Sequence, residues 1–250
     1  MSSKALSRLV ALISDGYPVA ALQARIDKPR IDIAAPVGSH SAVVALIDQL
    51  RADKNLNRTQ LVVVATGREA EDVALALKAF APDCELLEFP SWETLPHERL
   101  SPSAETVGKR LKVLHRLHEL AESGQRPEHP VFVLASVRAV LQPVVAGLGD
   151  HPPLTLRQGE NYLLPELNLK LVEMAYERVD MVTKRGEFAT RGGIVDLFAT
   201  TADHAVRLEF FGDELEEIRE FSVADQRSIN LEPGHDAIRQ VQIFAAREII

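Results

Sequence analysis

The sequence predicts an α/β domain built on a parallel sheet, followed by an α+β domain with an antiparallel sheet. Two observations carry this expectation. Through roughly the first 145 residues, apolar strand-like runs alternate with amphipathic stretches, the βαβα rhythm of a parallel sheet with helices on its faces. Beyond Pro143 the rhythm changes to closely spaced short strands joined by polar, glycine-containing turns.

Taken in order, residues 31–35 (Ile-Asp-Ile-Ala-Ala) read as a short extended segment. Residues 39–51 carry Val43, Val44, Ile47 and Leu50 at helical spacing behind a Ser-rich start suited to capping. Residues 61–65 are apolar throughout, as a buried parallel strand is. A helix over 68–80 places Val73, Leu77 and Phe80 on one stripe, and 85–89 reads as the next strand. Residues 104–122 form a long amphipathic helix, and 130–136 a third buried strand. In the second half, a helix over 165–175 precedes strands near 177–184, 187–191, 194–199 and 205–211. The boundary falls in Leu148-Gly149-Asp150-His151-Pro152-Pro153. This gives one domain over 1–147 and a second over 148–250, whose last residues begin a return into the first. The run Ala245-Ala246-Arg247-Glu248-Ile249-Ile250 resembles an unfinished helix, as in a fragment of a longer protein.

Composition narrows the function classes. An apolar content of 46% with 26% charged residues fits a folded globular chain rather than a disordered one. No apolar run reaches the roughly 18 residues of a membrane span, so no membrane partner is expected. The first ten residues lack the parts of a signal peptide. Cys84 is the single cysteine, which excludes an internal disulfide and a CxxC metal knuckle and favours the cytoplasm. A net charge of −8 argues against a broad nucleic-acid surface, because phosphate contacts need Lys and Arg.

Four places could carry chemistry. The loop Pro36-Val37-Gly38-Ser39-His40-Ser41-Ala42 lies between an extended segment and a helix, where a phosphate-binding loop sits. A working loop ends Gly-Lys-Ser/Thr, and Ser41 and Ala42 occupy those last two positions. The phosphate-reaching charge and the Mg²⁺ ligand are both missing, so the loop reads as a degenerate P-loop. His115, His118 and Glu119 share a helix face, but no HExxH pattern or further ligand set accompanies them, and no metal is expected. The segment 89–96 holds the only Trp, Trp92, between two prolines, and reads either as a packed loop or as an exposed interface. Finally, Arg185-Gly186 suits a two-residue hairpin turn. Such a hairpin sets Asp180 opposite Arg191 and Arg178 opposite Gly193. Arg178, Asp180 and Arg191 then share one face beside Gly192 and Gly193, with Val179, Met181, Phe188 and Thr190 facing the core. The exposed face is either a solvated, salt-bridged surface or an arginine-anchored docking surface.

These last residues also carry a resemblance. Tyr176-Glu177-Arg178-Val179-Asp180, the run from Arg185 to Phe198, and Arg207-Leu208-Glu209-Phe210-Phe211-Gly212-Asp213-Glu214 with Ile218-Arg219-Glu220-Phe221 resemble the pattern shared by UvrB and the transcription-repair coupling factors (Mfd). Trp92-Glu93-Thr94-Leu95-Pro96 with Ser101-Pro102 is similar to the coupling-factor side of that family. The resemblance implies a first domain like the ATPase domain of UvrB but degenerate, a P-loop NTPase-like fold without a working loop. It implies a second domain that binds UvrA, with Arg178 and Arg191 matching two interface arginines and Asp180 and Gly192 beside them. Ala189 stands where the family element has a further arginine. The resemblance further implies a non-catalytic module, no cofactor in this chain, and a parent that translocates on DNA with ATP and Mg²⁺ and displaces stalled RNA polymerase through other regions. A UvrB-like nucleotide-dependent ATPase and a clamp that holds the parent motor inactive are the competing readings.

Overall fold

The computed structural model describes residues 10, 17–94, 100–229 and 238–248. The chain folds into two compact units, residues 1–91 with 119–143 and residues 92–118 with 144–250, where the sequence suggests a single cut near 148.

The first unit is built on a three-stranded parallel sheet. Its strands are β1 (Thr59–Val64), β2 (Glu85–Phe89) and β3 (Val131–Ser136), in the order β1-β3-β2. All six residues of β3 are buried, which explains the apolar run 131–135. β1 is an edge strand rather than a buried one, with Leu61 59% and Val63 43% exposed. Helices α1 (Tyr17–Gln23), α2 (His40–Asp53) and α3 (Gly67–Phe80) contribute Val19, Ala45, Leu46, Leu50, Ala70, Ala74 and Leu77 to a core closed by Phe132 and Leu134 of β3. A short helix, α5 (Val137–Leu141), follows β3. Thr66 caps α3: its hydroxyl accepts from the Glu69 N–H at 3.2 Å, while the Glu69 carboxylate accepts from the Ala65 N–H at 3.1 Å. One expectation fails here: residues 31–35 form no strand, and Ile33 lies 44% exposed. On α2, Leu50 of the expected stripe is buried and Val44 and Ile47 pack against the core, and the buried face also takes in Ser41, Ala45, Leu46 and Asp48. Arg58 makes this possible by neutralising buried Asp48 at 2.6 Å.

In the second unit, helix α4 (Ala104–Ser123, of which residues up to 118 belong here) lays Val107 and Leu111 into the core. A five-stranded sheet runs β5-β6-β7-β8-β9: β5 (Glu177–Arg178), β6 (Glu187–Arg191), β7 (Ile194–Leu197), β8 (Ala205–Phe211) and β9 (Glu214–Phe221). One face buries Phe188, Val195, Leu197, Val206 and Leu208 with Leu167 and Leu171 of helix α6 (Leu164–Glu173). The other buries Ala189, Phe198, Ala205 and Phe221 over Val182. Gly108 of α4 permits a close approach, since a Cβ there would stand 2.3 Å from the Thr200 hydroxyl. A separate antiparallel pair joins β4 (Leu154–Arg157) to β10 (Gln240–Ile243), neither legible beforehand. Both strands of this pair belong to the second unit. Ala245 and Ala246 are buried there without starting a helix, and Ile249-Ile250 lie outside the described residues. No described helix is long and apolar enough to cross a membrane.

Candidate docking surface

The hairpin expected around Arg185-Gly186 does not form. β5 is only two residues long and runs parallel to β6, with Glu177 beside Glu187 and Arg178 beside Phe188. The cause is a side chain. The Glu187 carboxylate accepts from the Thr183 N–H at 2.8 Å, the Thr183 hydroxyl at 3.0 Å and the Lys184 N–H at 3.0 Å, tying residues 183–187 into a closed turn. Burial pushes this carboxyl up, but the backbone and hydroxyl donors outweigh it and hold it below the usual glutamate range. Arg185 is drawn off to the Ala202 carbonyl at 2.9 Å and over the Phe198 ring at 4.9 Å.

The loop 179–182 then passes the end of β6, and the Arg191 guanidinium donates to the Asp180 carbonyl. Arg191, Asp180, Gly192 and Gly193 are all exposed, and open space surrounds Gly192, whose φ is +59°. Arg178 is exposed too. Its register with Phe188 gives it the opposite sheet parity to Arg191, so the two arginines do not share the one face expected. Met181 is 51% exposed rather than core-facing, because it lies in the loop and not in a strand. Phe188 is fully buried, as expected, while Thr190 donates to the Asn168 side chain at 2.7 Å.

Other residues of the shared pattern brace this surface, and pattern reading missed their roles. Asp196 and Arg207 are register partners on β7 and β8, and form a two-pronged ion pair at 2.7 and 2.9 Å with Arg207 stacked 5.0 Å from the Phe221 ring. The hydrogen bonds that Arg207 donates to the Asp196 carboxylate raise the Arg207 pKa. The signal was present: an Asp inside the apolar run Ile194-Val195-Asp196-Leu197-Phe198 calls for a buried partner. Tyr176 is buried, donating to the Phe244 carbonyl at 2.9 Å and accepting from the Thr200 N–H at 3.1 Å, and burial pushes its pKa up to about 12.

The remaining candidates fall into structural settings. Trp92 belongs to a packed cluster in which its indole donates to Glu248 at 3.0 Å and Arg110 lies 5.3 Å from its ring; Leu95 and Pro96 lie outside the described residues. His115 bonds the Gly149 carbonyl at 3.0 Å, His118 lies 3.2 Å from the Asp150 carboxylate, and no cluster of three metal-ligating side chains occurs among the described residues. The loop Gly38–Ala42 follows irregular chain rather than a strand. The Ser39 hydroxyl turns back onto the Pro36 carbonyl at 2.7 Å, Ser41 is buried, and His40 is exposed. Residues 36–42 contain no Lys, the side chain that reaches the phosphates in a working loop. The cleft beside the C-terminal ends of β2 and β3 is about 130 Å³, below ordinary ligand-site volumes, and is lined by Glu71 and Glu88, whose charge opposes a phosphate.

Residues 154–248, within the second unit, match the model of the UvrB interaction domain family. The chain is similar to the transcription-repair-coupling factors over about three quarters of its length. It is 53% identical over 190 residues to that of Mycobacterium tuberculosis (strain CDC 1551 / Oshkosh), covering 76% of this chain and 15% of the relative. It is 35% identical over 204 residues to that of Myxococcus xanthus, covering 77% and 16%, and 33% identical over 184 residues to that of Bacillus subtilis (strain 168), covering 73% and 14%. The chain thus spans about 15% of the length of the M. tuberculosis relative.

Proposed function

We propose that this chain is a non-catalytic docking module that recruits UvrA in transcription-coupled nucleotide excision repair. It acts in the cytoplasm as part of a longer DNA translocase that uses ATP and Mg²⁺ and meets RNA polymerase and DNA through other regions. The observation that carries the reading is the Arg191 guanidinium, exposed at the end of β6 and steadied by the Asp180 carbonyl beside open Gly192, on a matched UvrB interaction domain. A guanidinium so placed has further N–H donors for a partner's carboxylate or carbonyl.

Arg191→Ala and Arg178→Ala are each expected to cost roughly 2 kcal/mol of binding to UvrA, as anchor arginines do. Both side chains are exposed, so the fold should be unaffected. Calorimetric titration of UvrA with the parent chain and both variants, paired with thermal melts, checks this. Unchanged affinity for both variants would sink the docking face, and unfolding would make the arginines structural.

No cofactor is assigned to this chain. Calorimetry with MgATP is expected to show no resolvable isotherm, because the Gly38–Ala42 loop has neither the Lys nor the Mg²⁺ hydroxyl. A saturable micromolar isotherm would instead support a nucleotide-dependent module.

A further inference from the structure

Phe211 is 81% exposed, more than any other large apolar side chain among the described residues. It stands at the last position of β8, just before Gly212, whose φ of +62° sharpens the turn into β9. The sheet register decides what lies beside it. Ile194 pairs with Glu209, and the Phe210 N–H donates to the Gly193 carbonyl at 2.8 Å. The Gly192–Gly193 turn and the Phe211–Gly212 turn are therefore neighbours at one end of the five-stranded sheet. Gly193 allows this contact, since a Cβ there would stand 2.8 Å from the Phe210 carbonyl oxygen.

On the far flank the Tyr162 N–H donates to the Asp213 carbonyl at 2.7 Å and Asn161 bridges to Glu214. Leu163, 48% exposed, joins Phe211 in lining a shallow cleft of about 390 Å³ there. Ile194 is 38% exposed. No Cβ contact would form at Gly192 or Gly212, the glycines that follow Arg191 and Phe211, so both turns are open. One end of the sheet thus presents a cation, an aromatic ring and two aliphatic side chains in succession. Single exposed apolar residues need no explanation, but adjoining ones beside an arginine have the composition of a binding hot spot.

We propose that Phe211, with Leu163 and Ile194, forms the apolar half of the docking face begun by Arg191. It would seat an apolar pocket of UvrA next to the acidic group that Arg191 takes. This rests on the UvrA-docking reading above, and continuity with the Arg191 turn identifies the occupant. Arg191 alone supplies orientation and charge. The aromatic ring supplies desolvated area, which a lone exposed cation lacks.

The test titrates UvrA with the 250-residue chain and with Phe211→Ala, Phe211→Asp, Arg191→Ala and Leu75→Ala, each also followed by thermal melting and sedimentation. Leu75 is 75% exposed on α3 and serves as an apolar control away from the face. Phe211→Ala is expected to weaken UvrA binding at least about tenfold. Phe211→Asp should weaken it further, with melting unchanged, and Leu75→Ala should bind as the parent does. If Arg191→Ala weakens binding while both Phe211 variants bind normally, this inference is overturned and the docking reading stands. If the parent chain does not bind UvrA, or no variant changes affinity, the docking reading fails and takes this inference with it. Self-association of the chain that Phe211→Asp abolishes, with UvrA affinity unchanged, would assign the patch to a second copy and overturn the inference.

Discussion

Phe188→Ala should lower the stability of the second unit by about 3–5 kcal/mol, the usual cost of emptying a core aromatic site. Phe188 is fully buried on β6, paired with Leu197 of β7 and packed in the cluster that includes Leu167 and Leu171 of α6. Its neighbours belong to a regular sheet and a helix, which cannot collapse far into the space left behind. Urea unfolding should show a lower midpoint at an unchanged slope, the sign of lost stability without a change in the surface exposed. A shift under about 1 kcal/mol would mean that the site repacks freely. The contrast with Arg191, three positions along the same strand, is the informative part. One residue should govern stability and the other affinity.

Arg110→Met should destabilise by a similar amount, for a different reason. The Arg110 side chain is fully buried, and its Nε donates to Glu248 at 2.5 Å, an oxygen that also accepts from the Trp92 indole. Removing the cation strands a buried carboxylate, which costs about 3–5 kcal/mol. The double variant Arg110→Met/Glu248→Met should recover much of that loss, because two apolar side chains carry no desolvation penalty. Thermal or urea unfolding of both singles and the double forms a complete cycle. If the double is no more stable than Arg110→Met alone, the charge pair is not what Arg110 contributes.

The parts of the fold legible in the sequence are those whose pattern has a single cause. Residues 131–135 are apolar because both faces of β3 are covered, and α3 is amphipathic because one side faces the sheet. β1 was legible as a strand but not as an edge, since an apolar run does not say which neighbours are present. β4 and β10 are four residues each, too short for alternation to register. The 177–184 strand failed for a chemical reason. Arg185-Gly186 has hairpin composition, but the Glu187 carboxylate captures the amides of Thr183 and Lys184 and sets the chain parallel. A tether from side chain to backbone leaves no periodicity to read. The same turn explains why Asp180 and Arg191 meet, though through the Asp180 carbonyl and without Arg178 on the same face.

The second unit is assembled from two stretches of chain, 92–118 and 144–250, and its closing bond joins residues 138 apart. On a ribosome this sets an order of events. Helix α4 is synthesised early, with Val107 and Leu111 on its apolar stripe, but Phe244 and Ala245, which complete the same core, emerge last. Until residue 248 has left the exit tunnel, that stripe has no finished surface to bury against. Non-local closure of this kind is slow and leaves apolar surface exposed in the meantime. The core of this unit therefore closes only once residues 244–248 are available, and α4, the first part of that core to be made, keeps its apolar stripe uncovered longest.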